Sequence, residues 1–130
     1  MKTTDFQNID ELWEWVRNRT LNEFRFLIEE LGFENVKNEI TPTQCSVEYR
    51  KENVLIGIWS SYGTRPEVFI KTNGRRVFTD QLIAKYARGL KLPVSPSVFG
   101  EQVIKDNYRS MLKAYAGLVR TCITLPKTDN

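Results

Sequence analysis

The stretch Asn53–Phe78, "NVLIGIWSSYGTRPEVFIKTNGRRVF", decides the fold. Its opening "NVLIGIWS" (53–60) is apolar at odd and even positions alike. A short apolar run of that length fits a central strand buried on both faces. Ser61–Arg65 reads as a loop. "PEVFIKT" (66–72) is the next strand, with Pro66 at its start, where proline is tolerated. Asn73-Gly74 then turns the chain into "RRVF" (75–78), because both residues accept the left-handed backbone that a tight hairpin requires.

Upstream, Cys45, Val47 and Tyr49 alternate with Ser46, Glu48 and Arg50. That period of two predicts a strand with one buried face. "KEN" (51–53) is the turn between this strand and the central one. An outer strand is expected over Val36–Ile40, with Lys37 and Glu39 guarding its edge against a second copy. Connections this short build an antiparallel meander of four to five strands, not crossovers.

Helices flank the strands. Ile9, Leu12, Trp13 and Val16, then Leu21, Phe24, Leu27, Ile28 and Leu31, recur at helical spacing. Asn8 with Glu11 fits a capping box at the start, and Gly32 fits the stop. Thr20 with Glu23 is a second box, so one long helix with an irregularity at Thr20 is expected. Thr79 and Asp80 open another helix, "DQLIAKYARGL" (80–90). After "KLPVSPS" (91–97) a last helix carries Ile104, Tyr108, Met111, Tyr115, Leu118 and Cys122 as its apolar stripe. The tail 126–130 is polar. Helix, strands, then two helices packed on the sheet read as an α+β fold. The 130 residues suffice for a single domain, 1–130.

Composition narrows the chemistry. Histidine is absent, so the usual neutral-pH base and the serine or cysteine triads built on it are missing. Cys45 and Cys122 are too few for an ordinary zinc site and are expected as small, reduced core residues. No metal or cofactor is expected. Ser110-Met111-Leu112-Lys113 matches a Ser-x-x-Lys pattern, but the companion motifs of the penicillin-recognising enzymes do not occur. The early carboxylates, Asp10, Glu11, Glu14, Glu29, Glu30 and Glu34, fall on polar helix faces and read as solvated. The seven glycines are scattered and form no phosphate-binding loop. The N-terminus carries no apolar signal segment and no run reaches membrane-spanning length, so a cytoplasmic chain is expected.

Charge is unevenly spread. Residues 1–40 carry net −4, residues 65–91 net +5, and the whole chain net +3. Lys105, Arg109 and Lys113 step by four along the last helix, with Arg120 two turns on. Such separation suits encounter with a protein partner of opposite sign. The same residues would serve nucleic acid, the alternative reading. Arg65, Arg75, Arg76 and Arg109 are the candidate partner-binding residues, since arginine makes several directed contacts at once.

"FRFLIEELGFENV" (24–36) followed by "VEYRKENVLIGIWSSYGTRPEVFI" (47–70), with "KAYAGLVR" (113–120) in the last helix, resembles a pattern in small bacterial proteins of unassigned function. By class such chains are similar to the immunity proteins that accompany secreted bacterial toxins. The resemblance implies a non-enzymatic, protein-binding role and transfers no catalytic residue. Monomer and two-fold dimer are both compatible with it.

Overall fold

The computed structural model describes residues 9–61, 66–91 and 105–124. In chain order it contains helices α1 (Ile9–Glu23) and α2 (Arg25–Glu29), strands β1 (Glu34–Ile40), β2 (Gln44–Lys51), β3 (Val54–Ser61), β4 (Glu67–Thr72) and β5 (Arg75–Phe78), then α3 (Thr79–Tyr86) and α4 (Lys105–Thr124). The strands form one antiparallel sheet in sequential order, β1-β2-β3-β4-β5, with the doubly apolar β3 in the middle. The capping residue Asn8, the start of the last helix near Pro96 and Ser97, Ile104 and the tail 126–130 lie outside the described residues.

Turn chemistry sets the register. Asn73 and Gly74 have φ of 53° and 78°. This two-residue loop pairs Thr72 with Arg75, Lys71 with Arg76, Ile70 with Val77 and Phe69 with Phe78. Successive side chains on a strand point to opposite faces, so the register assigns every residue to one side of the sheet. Cys45, Val47, Tyr49, Ile56, Ile58, Val68 and Ile70 share one face and join the core with Trp13, Leu27, Leu82 and Leu112 from the helices. Of the two C-terminal helices, α3 lies along β4 and β5, whereas α4 stacks against α1 and α3.

The first helix breaks at Phe24, four residues beyond the expected irregularity at Thr20. Thr20 stays inside α1, its hydroxyl donating to the Val16 carbonyl at 2.7 Å and so not capping a new helix. Burial explains the site of the break. Phe24, Phe26 and Leu27 are all buried, yet residues two apart on a straight helix point about 200° away from each other. Re-starting the helix at Arg25 lets both phenylalanines reach the core. The same turn moves Ile28, expected in the core, out to 44% exposure.

The short α2 ends at Glu29, with Glu30 as its C-cap, just ahead of Gly32. Gly32 has φ of 79°, and the Phe33 N–H donates to the Leu27 carbonyl at 2.8 Å, with both side chains buried. Arg120 of α4 then ties the two helices together. Its guanidinium lies 4.1 Å from the Phe26 ring centre and its Nη1 is 2.8 Å from Glu30 Oε1. The arginine's bond and field hold the Glu30 carboxyl below its ordinary range.

The outer strand β1 is longer than its apolar pattern suggests and carries a bulge between Asn35 and Lys37. Val36 sits in the bulge, 48% exposed. The bulge and the Lys37–Glu39 pair disrupt the edge against further pairing. The expected helix over 80–90 stops at Tyr86, and Gly89 at φ 92° begins the way out. No described helix is long and apolar enough to cross a membrane.

Tyr49 is fully buried on the helix side, and its hydroxyl has no hydrogen-bond partner among the described residues. An unsatisfied buried hydroxyl costs about 1–3 kcal/mol. Tyr49→Phe is therefore expected to raise stability by about 1 kcal/mol, read as a higher urea midpoint. A fall of similar size would show that the hydroxyl is bonded.

Candidate functional site

The opposite face of the sheet carries a second, separate cluster. Leu55 and Phe69 are buried but do not belong to the core beneath the helices. Cross-strand pairing orders this face in rows. One row runs Arg50, Leu55, Lys71, Arg76 across β2 to β5, and the next runs Glu48, Gly57, Phe69, Phe78. A third brings Ser46, Trp59 and Glu67 together.

The rings interlock. The centroid of Trp59 is 4.9 Å from that of Phe69, edge-on, and 6.1 Å from that of Phe78, while Phe69 and Phe78 are 5.6 Å apart. Phe69 is 0% exposed because it lies on Gly57, where a side chain would collide with its ring. The Arg76 guanidinium caps the group, 5.3 Å from the Trp59 ring centre and 5.0 Å from that of Phe69. A cation over an aromatic face is attracted by the ring quadrupole. Trp59 Nε1 donates to Glu48 Oε2 at 3.0 Å, which fixes the indole and satisfies a carboxylate that is 8% exposed.

These contacts revise the reading of β2. Ser46 and Glu48 alternate with the apolar residues but are themselves buried, because Trp59 and its neighbours cover them. Glu67, at the end of the same face, accepts a 2.7 Å bond from the Thr79 hydroxyl, which also accepts the Val68 N–H at 2.9 Å. This couples the first residue of α3 to β4.

Charge on this face is unbalanced. Lys71 and Arg76 stand directly opposite each other. Like charges paired across strands are destabilising. Neither has a carboxylate at ion-pairing distance among the described residues. Arg75, next along β5, is exposed and pairs with Thr72, so it projects to the other side of the hairpin.

The four candidate arginines do not converge. Arg76 stands on the aromatic face and Arg75, its neighbour on β5, on the opposite face. Arg109 stands on α4, half-buried and already interacting, on the helix side of the molecule. Arg65 lies outside the described residues. On the last-helix ridge, Arg120 is engaged by Glu30 and Lys113 is exposed.

The two cysteines are not poised as nucleophiles. Both cysteines are free and buried. Burial pushes the Cys45 thiol up to about 12, against a smaller opposing field from Arg17, and the Cys122 thiol up to about 11. A thiol so protonated at neutral pH is a poor nucleophile. Burial likewise pushes the Tyr49 hydroxyl upward. Ser110 and Lys113 are both exposed on α4.

A cavity of about 450 Å³ opens on the helix side, where the β2–β3 turn, β4, β5, α3 and the end of α4 meet. The sequence gives no local sign of it, since its walls come from segments up to 92 residues apart, Leu31 to Ile123. Compared with known proteins, the chain matches no family model, no curated protein and no solved structure.

Proposed function

We propose that this is a non-catalytic binding protein that engages an acidic surface of another protein through the aromatic face of its sheet and the β4–β5 hairpin. The observation that carries this reading is Arg76, held over Trp59 and Phe69 beside an equally unpaired Lys71. Tryptophan and arginine dominate binding hot spots because they combine large contact area with directed bonds. Here the rings hold the guanidinium in place, so less side-chain freedom is lost on contact. Carboxylates from a partner would neutralise the Lys71–Arg76 repulsion. Neutralisation of a toxin, in the manner of an immunity protein acting in the cytoplasm, is the role this chemistry fits.

One observation favours single-stranded nucleic acid as the second reading: the row of Arg50, Lys71 and Arg76 lies beside aromatic rings. Base stacking needs open ring faces. Phe69 offers none, and Arg76 occupies a position over Trp59, so the protein reading is preferred.

The test is capture from extracts of the source cells with the wild-type chain and with Arg75→Glu/Arg76→Glu. The double reversal is expected to weaken capture of the wild-type partner about tenfold or more. A partner retained in full by the variant contradicts the proposal. Binding of single-stranded oligonucleotides that falls steeply with salt would favour the second reading instead.

A further inference from the structure

We infer that the cavity on the helix side binds an amphipathic anion, specifically a free alkyl carboxylate of medium chain length. This inference is independent of the sheet-face reading. The cavity's size, about 450 Å³, falls in the range of small-molecule sites, about 300–1,000 Å³. Hydrocarbon makes up the larger part of its wall: Phe33 just before β1, Val54 and Ile70 from the sheet, Leu82 from α3 and Ile123 from α4. A lining that joins an apolar part to a polar part favours a ligand built the same way.

The exposed rim supplies the polar part. Lys51 and Lys85 both line the cavity, against a single acid, Glu52. Neither lysine has a carboxylate at ion-pairing distance among the described residues. Each is nevertheless steered. Lys51 Nζ donates to the Leu31 carbonyl at 2.7 Å and lies 6.0 Å from the Phe33 ring centre. Lys85 lies 5.4 Å from the Tyr86 ring centre, in the last turn of α3. An ammonium has three donors, and Lys51 spends one on Leu31. Unneutralised cations beside an apolar hollow select a ligand with a hydrocarbon body and an anionic head. They disfavour its cationic counterpart by like-charge contact.

The test is isothermal titration of the full chain with dodecanoate below its micelle concentration. Dodecyltrimethylammonium and dodecanol serve as cationic and neutral controls of the same chain length. Saturable one-to-one binding of dodecanoate is expected, with each control at least about tenfold weaker. Lys85→Glu, an exposed change that leaves the packing intact, is expected to weaken dodecanoate about tenfold. Val77→Trp, which fills the cavity, is expected to abolish binding. Absence of saturable binding by the wild-type chain overturns the inference. So does equal binding of either control, or unchanged dodecanoate affinity in Lys85→Glu.

Discussion

Gly57→Ala is expected to destabilise the protein by about 2–3 kcal/mol, the upper range for overpacking a core. The sign is the informative part. Alanine in a strand interior ordinarily improves on glycine by about 0.5–1 kcal/mol. Here a Cβ would lie 2.9 Å from Phe69 Cδ2 and closer still to Cε2 and Cζ. The ring cannot swing aside, because Trp59 and Phe78 flank it and Arg76 caps it. The obstacle is a single side chain, so the penalty should disappear when that side chain is removed. Phe69→Ala alone should cost about 3–5 kcal/mol. In that background Gly57→Ala should cost nothing further, or stabilise. Urea unfolding of the two single variants and the double variant measures the coupling. Additive costs would mean that Phe69 does not rest on Gly57.

Trp13→Ala should cost about 3–5 kcal/mol by the same measurement. Trp13 is fully buried in α1, against the helix-side face of the sheet. Its Nε1 donates to the Pro42 carbonyl at 3.2 Å, in the turn between β1 and β2. One side chain thus supplies core volume and fixes the first helix to the first hairpin. Trp13→Phe keeps most of the ring and loses that bond, so about 1–2 kcal/mol is expected. A loss under about 1 kcal/mol for Trp13→Ala would contradict the packing of α1 described above.

Much of the fold was legible because its signals are local. Asn73-Gly74 dictates its hairpin through backbone preference alone, and the doubly apolar "NVLIGIWS" (53–60) marks the middle of the sheet. Gly32 takes the left-handed backbone just after α2 for the same conformational reason. The break at Phe24 was not legible, because it answers a tertiary demand to bury Phe24 and Phe26 on one side. The candidate surface was legible in part. A two-residue turn already implies that Lys71 faces Arg76 and Phe69 faces Phe78. Placing Trp59 beside them needs the β3–β4 register as well. That register crosses the segment 62–65, whose loop length alone does not fix the pairing. The separation of Arg76 from Arg109 also required the structure, since only packing shows on which side of the sheet α4 lies.

The most direct measurement compares two single substitutions in affinity for the protein that the wild-type chain captures. Arg76→Ala, on the aromatic face, is predicted to weaken that affinity about tenfold or more, whereas Lys113→Ala, on the exposed side of α4, leaves it unchanged. Loss of affinity with Lys113→Ala and none with Arg76→Ala would place the contact on the helices and contradict the account.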